Sequence, residues 1–480
     1  MPSLNAASAV ALLTLVAAFP VSIQAQQPAL APADRTLARD VFKQLVEINT
    51  SHSVGSTTVA AEAMRQRFLA AGFDAKDMLV AGADERHGNL VLRYHGKPGS
   101  TIKPVLIIGH LDVVEAKRED WTTDPFQFVE KDGFFYGRGT QDMKDSDAAC
   151  ITAILMLKKQ GFVPDRDVIL ALTADEEGGT MNGVDWLLRH HRELVDAGFA
   201  LNPDSGGLST SKGKPTFLGV EATEKLYADF KLTVTNPGGH SSLPRKQNAI
   251  YQLSAALGRL AAYQFPFELN TVTRAYFEER AKTQTSQIAT DMRAILAPKP
   301  DPAAIARLSD DHTYNSLMHT TCVATMLSAG HAPNALPQRA EANVNCRILP
   351  GHTPGEVRKQ LEAVFAEPKL SVKLDAESGI NGGENEVSVT PPALNKEVFD
   401  ALHTVTHQMW PGTPVIPQME TGASDSKITM DAGIPSYGFS GMGIDEDDDR
   451  AHGRDERLGV ASFYAGVEFM YLYLKTLTGK

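Results

Sequence analysis

Cysteine is scarce, with three residues in a chain of 480. Cys150, Cys322 and Cys346 contain no closely spaced pair, which excludes a disulfide framework. A single Cys322–Cys346 bridge stays open, and stability is expected from packing. A basic excess is also missing: 46 Lys and Arg face 58 Asp and Glu, a formal charge of −12. That balance argues against a nucleic-acid partner or an anionic membrane surface. No internal repeat, low-complexity tract or glycine-rich phosphate loop occurs. Trp121, Trp186 and Trp410 read as packing residues, and Cys150, inside an apolar helical stretch, as inert core. No charged side chain precedes Asp34. The apolar run Ala6–Pro20 is shorter than the ~18–20 residues of a membrane span, and it ends at Ser22-Ile23-Gln24-Ala25. We read residues 1–25 as a secretory leader, with the remainder secreted or periplasmic and free of membrane after cleavage.

The pattern that is present belongs to a folded protein of two or more lobes, since 480 residues exceed one domain of ~100–200. Leu37, Val41 and Leu45 recur at helical spacing, and a helix over Thr58–Ala71 stops at Gly72. Val105–Ile108 and Val168–Leu172 are continuous apolar runs, the mark of strands buried on both faces of a mainly parallel sheet. A helix between them is stopped by Gly161. After Glu221 the texture changes. Leu226–Val234 alternates like a half-exposed antiparallel strand. A helix near Asn248–Tyr263, a polar helical stretch through Arg307, strands at Ala340–Ile348 and Leu370–Leu374, and a helix at Pro354–Phe365 follow. Gly379–Glu386 reads as an exit linker, after which Ser436–Ser440 forms a strand and Val460–Leu477 a closing helix. The fold class is therefore α/β: a mixed, mainly parallel sheet sandwiched by helices, with an inserted α+β lobe. Residues 26–221 plus 386–480 form the main domain and 222–385 the insert.

Histidine and carboxylate clusters fall at the ends of the expected strands, where open α/β sheets place their ligand sites. They are Gly109-His110-Leu111-Asp112-Val113-Val114, Gly137-Arg138-Gly139-Thr140-Gln141-Asp142-Met143-Lys144, Thr173-Ala174-Asp175-Glu176-Glu177-Gly178-Gly179, Asn202-Pro203-Asp204-Ser205 and, downstream, Ala451-His452-Gly453-Arg454-Asp455-Glu456. Singly, each reads as a surface turn or a core histidine. Together they offer imidazoles and carboxylates, ligands that suit zinc. Two imidazoles and three carboxylates suffice for two divalent ions with one carboxylate between them.

In this order the five motifs closely resemble those of the M20 metallopeptidases, over about residues 35–475. That group includes glutamate carboxypeptidase, succinyl-diaminopimelate desuccinylase, aminoacylase, carnosinase-type dipeptidases and the carboxypeptidase S type. The resemblance implies a di-zinc hydrolase domain carrying a smaller lid or dimerisation domain. Two Zn2+ ions per subunit are expected, with Co2+ or Mn2+ as alternatives. His110 and Asp204 would hold one ion, Glu177 and His452 the other, and Asp142 would bridge them. Asp112 would orient the His110 imidazole, and Glu176 would serve as general base. Pro237–Pro244 resembles the lid motif, which makes His240 an oxyanion donor, often supplied from the partner subunit of a homodimer. Asn334 and Arg347 match substrate-binding positions, Arg347 as a clamp on a substrate carboxylate. Gly422, in the Glu420–Asp425 loop, would let backbone approach the ligand.

The chain also departs from the pattern. Asp145 stands where the family usually has glycine, and Asp445–Asp449 reads as a solvated acidic loop. The expected activity is an exopeptidase or N-acyl-amino-acid hydrolase acting on a small peptide or N-acyl amino acid next to a free C-terminal carboxylate. An aminopeptidase or dipeptidase stays open through Asp204, as does a catalytically silent binding protein.

Overall fold

The computed structural model describes residues 30–375, 383–386, 393–445 and 447–479. The expected leader and the first half of the Gly379–Glu386 linker lie outside them. A six-stranded sheet runs Met78–Gly82, Gly88–Tyr94, Val168–Thr173, Val105–His110, Phe199–Leu201 and Ser436–Tyr437. Its first two pairings are antiparallel and the remaining three parallel. Val105–His110 and Val168–Thr173 are buried throughout, as their unbroken apolar runs require. Val105 and Ile107 point into one core, while Leu106 and Ile108 point into a second on the opposite sheet face. The sandwich read from the sequence is therefore present, with the strand expected over Ser436–Ser440 shortened to two residues.

The helices Pro32–Glu47, Lys144–Lys159 and Val460–Thr478 cover one face. Phe42, Phe128, Phe135 and Phe463 pack ring to ring between them, with the Phe42 and Phe463 centroids 4.6 Å apart. Burying each such ring contributes roughly 1.5–3 kcal/mol, so this layer is a main anchor of the fold. Gly72 and Gly161 adopt φ values of +82° and +66°, the left-handed turn that ends their helices. A second sheet, Val415–Glu420, Lys214–Glu224, Gly207–Ser211 and Gly443–Asp445, extends the same body.

A separate antiparallel sheet runs Thr321–Ala329, Arg339–Ile348, Leu226–Thr235 and Leu370–Leu374. Leu226–Thr235 alternates buried and accessible residues along its length, burying Leu226, Ala228, Phe230, Leu232 and Val234. The helices Ala249–Ala261 and Pro354–Phe365 cover that face. The second of these begins with a capping box, the Thr353 hydroxyl and Glu356 carboxylate satisfying each other's backbone N–H. Cys322 and Cys346 stand directly opposite on neighbouring strands and form a disulfide, while Cys150 is free and buried.

The polar stretch after Tyr263 resolves into four helices, Thr271–Thr283, Ser286–Ile295, Pro302–Ser309 and His312–Met318. Val272, Phe277, Met292, Ile295, Leu308 and Met318 belong to the large core rather than to that of the small sheet. The first of these helices lies against the Val415–Glu420 strand. Segment 222–385 thus divides its apolar residues between two cores, because these helices carry enough apolar surface to dock independently of the small sheet.

Candidate metal centre

His110 closes the Val105–His110 strand at the carboxyl edge of the large sheet and is buried. Its Nδ1 lies 3.0 Å from the Asp112 carbonyl oxygen, which fixes a donor there and turns Nε2 outward. Nε2 is buried without any hydrogen-bond partner, 3.1 Å from Asp142 Oδ1 and 3.5 Å from Asp204 Oδ1. The other oxygen of Asp142 faces His452 Nε2 at 2.9 Å, and Glu177 Oε2 lies 2.9 Å from the same nitrogen. His110, Asp142, Glu177, Asp204 and His452, scattered over more than three hundred positions, converge here.

Each loop has a local reason for its course. Asp112 differs in detail from its expected role. It orients the imidazole through its backbone carbonyl, while its carboxylate lies 3.8 Å from Nδ1. That carboxylate accepts instead from the backbone N–H groups of Glu176 and Glu177, at 3.2 and 2.9 Å, and so shapes the turn that presents both. A short side chain two residues from the histidine reaches the neighbouring loop more easily than it bends back. The buried Glu456 accepts from the N–H groups of Gly139 and Gln141, at 3.2 and 2.7 Å, and pairs with the buried Arg138. Arg138 also donates to the His452 carbonyl at 3.3 Å and stacks on Trp121. The loop of Asp142 is thereby tied to the loop of His452. This coupling was missed in the sequence, where Glu456 stood out only as the end of a motif.

The charge balance of the cluster bears on what it can hold. Burial, reinforced by Asp142, pushes the Glu177 carboxyl up to about 7, and burial together with Asp204, Asp425 and Glu177 raises Glu176 well above the carboxylate range. Hydrogen bonding to Asp142 raises His452 to about 9. Burial opposes protonation of His110, yet Asp142 and Asp204 together hold its pKa well above the ordinary value. Each of these shifts draws a proton into a site too rich in negative charge. Divalent cations would satisfy the same carboxylates and the orphaned Nε2, so the donor set fits them: His110, Asp142 and Glu177 already hold ligand atoms within 4.8 Å of one another.

The expected substrate residues are more dispersed. His240 is exposed on a two-stranded ribbon, paired with Ala335, and its Nδ1 meets the Ser242 hydroxyl at 2.7 Å. Asn334 sits beside it, its carbonyl accepting from Ser241 N–H at 3.1 Å. Arg347, on the Arg339–Ile348 strand, stacks 4.6 Å over the Tyr227 ring, and its Nη1 is buried without a hydrogen-bond partner. A Cβ at Gly422 would meet no protein atom, so nothing within the chain itself demands glycine there. Of the acidic run, Asp448 pairs with Arg450 and Arg457 and Asp445 accepts from Gly213 N–H. Glu446 lies outside the described residues.

Known proteins share this sequence pattern and this fold. The sequence profile of peptidase family M20/M25/M40 matches residues 106–476. A probable carboxypeptidase S-like 2 of Dictyostelium discoideum is 30% identical over 400 residues, covering 81% of this chain and 74% of that protein. The human N-fatty-acyl-amino acid synthase/hydrolase PM20D1 is 27% identical over 385 residues, 77% of this chain and 73% of that one. The crystal structure of the M20 family metallo-carboxypeptidase Sso-CP2 from Sulfolobus solfataricus superposes with a TM-score of 0.65 at 17% identity, covering 92% of this chain and 99% of that one, and so shares the fold. With its fold, its motifs and its cluster of imidazoles and carboxylates in agreement, the chain belongs to the M20/M25/M40 peptidase family, hydrolases of peptide and amide bonds that depend on metal.

Proposed function

We propose that the protein is an exported, zinc-dependent hydrolase that cleaves the amide bond next to a free C-terminal carboxylate, as a carboxypeptidase or an N-acyl-amino-acid hydrolase. The observation that carries this reading is Arg347: a guanidinium stacked on Tyr227 with a buried donor that no acceptor satisfies. An unpaired buried donor is costly, and a substrate carboxylate is the acceptor its planar fork fits. The relatives named for carboxypeptidase S and for N-fatty-acyl-amino acids are consistent with such a substrate.

Asp142 turns one oxygen toward each imidazole, so in this reading His110 and Asp204 would hold one ion, Glu177 and His452 the other, and Asp142 would serve both. When bound, a pair of divalent ions polarises a carbonyl and makes water acidic enough to give up a proton near neutral pH. Glu176 would accept a proton from the attacking water and return it to the amine nitrogen as the amide C–N bond breaks. Its carboxylate is kept beside the cluster because Asp112 holds its backbone N–H. Imidazole and carboxylate donors favour zinc, with Co2+ and Mn2+ as substitutes.

His240 and Asn334 form a pair of polar groups on an exposed ribbon, which suits delivery to the active site of a second subunit, with His240 donating to the developing oxyanion. Thr321–Ala329 supports a homodimer: it is an edge strand presenting Val323, Met326 and Leu327 at 60–70% exposure. The Cys322–Cys346 disulfide suits an oxidising compartment, in keeping with export. No described helix is long and apolar enough to cross a membrane.

The test is product identification by mass spectrometry on zinc-loaded protein. Matched peptides with free and blocked N-termini, N-acyl amino acids, and the same substrates amidated at the C-terminus would be compared. Release of the C-terminal amino acid from blocked, non-amidated substrates is expected. Cleavage confined to free-amine substrates, or indifference to amidation, would overturn the reading in favour of an aminopeptidase or dipeptidase.

A further inference from the structure

A second group of metal-ligating side chains adjoins the first: His52 and His87 come from loops that supply nothing to it, and Asp175 immediately precedes Glu176 in the same turn. His52 Nδ1 and His87 Nε2 both approach the same oxygen of Asp175, each at 3.5 Å. All three ligand atoms lie within 4.8 Å of one another. We propose that His52, His87 and Asp175 bind a third divalent ion of the zinc class.

The distances decide between the two ways of reading this trio. A ring nitrogen donating to a carboxylate sits near ~2.7–3.2 Å, so 3.5 Å is too long for a useful hydrogen bond. Bonds of ~2.0–2.1 Å at tetrahedral angles put two ligand atoms roughly 3.4 Å apart, which is the edge seen here twice. The supporting contacts point the same way. His87 Nδ1 lies 2.7 Å from Asp84 Oδ1, which makes Nδ1 the donor and leaves the Nε2 lone pair facing Asp175. Asp84 is itself fixed by accepting from the N–H groups of Arg86 and His87. The second oxygen of Asp175 accepts from Met181 N–H at 3.2 Å, so the first is left for the ion.

The backbone is shaped to this end. Asp175 adopts φ of +59°, a left-handed conformation rare for a residue with a side chain, and its carboxylate is almost wholly buried. A Cβ on Gly179 would fall 2.4 Å from Asp175 Oδ2 and 3.0 Å from His52 Cε1, so glycine is needed where the turn passes the trio. Arg86 donates to the carbonyls of His52 and Gly55 at 2.7 and 2.9 Å, binding the His52 loop to the His87 turn. Two imidazoles and one carboxylate suit zinc-class ions over calcium or magnesium. Three protein ligands leave a coordination position open, and the His52 side chain is 56% exposed, so the ion exchanges with solvent. Bound there, it pins the turn from which Glu176 and Glu177 project.

The proposal does not rest on the substrate reading, and its test needs no turnover. The full chain would be dialysed against buffered micromolar free zinc and its metal content measured by mass spectrometry. Three ions per chain are expected for the wild type and two for the His52→Gln/His87→Gln double variant. Asp142→Ala should lose catalytic-pair ions while keeping the ion at His52. A wild type holding no more than two ions, or a double variant still holding three, would overturn the proposal. Should the double variant fail to fold, Asp84→Ala decides. It leaves every ligand in place but removes the acceptor that orients His87, so calorimetric titration should show ~10–100-fold weaker binding of the third zinc alone. Unchanged affinity in that variant would equally refute the site.

Discussion

The metal cluster and the small lobe place their polar groups in opposite ways. In the cluster, one chain supplies all of the converging imidazoles and carboxylates, and the supporting contacts are buried: Asp112 under the Glu176 turn, Glu456 under the Asp142 loop. In the small lobe, His240 and Asn334 stand exposed on a ribbon, and only Arg347 is drawn inward, with a donor still unsatisfied. The difference follows from what each region handles. Concentrated negative charge is stable only if a rigid surround and cations hold it, whereas groups that meet a substrate must stay reachable until it arrives. The first region is preorganised within a subunit; in our reading the second is completed by substrate and by a second copy of the chain.

Two substitutions test the preorganised side. Glu176→Gln keeps size and backbone contact but removes the proton acceptor. Turnover should fall ~10²–10⁴-fold while metal content stays unchanged, as steady-state rates and metal analysis on the same sample would show. Full turnover in this variant would take the base assignment away from Glu176. Glu456→Gln breaks a buried pair with Arg138 and weakens the grip on Gly139 and Gln141. Loss of one partner of a buried pair costs about 3–5 kcal/mol, which denaturant unfolding would detect. Zinc affinity should fall with it, because Asp142 and His452 lose their common support. A loss of stability with undiminished zinc affinity would show that Glu456 serves the fold alone.

The two regions were also unequally legible in the sequence. Val105–Ile108 and Val168–Leu172 could be read as strands because both faces are buried and polar residues are excluded. His110 and Glu176–Glu177 follow those strands directly, so the carboxyl-edge rule located them. Thr321–Ala329 is a strand where the sequence reads as a helical stretch running from Thr271 to Leu327, because an exposed edge strand has no buried face to impose alternation, and seven of its nine residues are exposed. The helices from Thr271 to Met318 were legible as helices, but nothing local told which core they join. Asp112 was recognised as a supporter of His110, while its carboxylate bonds to a turn sixty-four residues away. The grouping of His52, His87 and Asp175 was hidden for the same reason: three loops meet only after the sheet has ordered them.

On the open side the expected effects are smaller. Arg347→Met keeps the stacking on Tyr227 but deletes the charged fork. A charge-assisted contact of about 1.5–3 kcal/mol translates into ~10–150-fold in kcat/KM, confined to substrates with a free carboxylate. Amidated analogues should change little, and an equal loss on both classes would reduce Arg347 to a packing residue.

The smallest effect is electrostatic. His352 lies 2.9 Å from Glu268 and 3.5 Å from Glu356. Burial alone would lower its pKa, but the two carboxylates prevail and raise it. A folded pKa above the unfolded value of ~6.5 means the stabilisation is complete below that pH and is lost as pH rises through the folded value. Because the imidazole is 36% exposed, solvent screening limits the contribution to a few tenths of a kcal/mol. His352→Gln should therefore lower the melting temperature slightly at about pH 5.5 and not at about pH 8.5. The catalytic pair should be indifferent to this change, since His352 joins Glu268 to the start of the Pro354–Phe365 helix and touches none of its ligands. A shift of equal size at both pH values would mean that the side chain acts by packing, and that the small lobe takes no measurable stability from this charge.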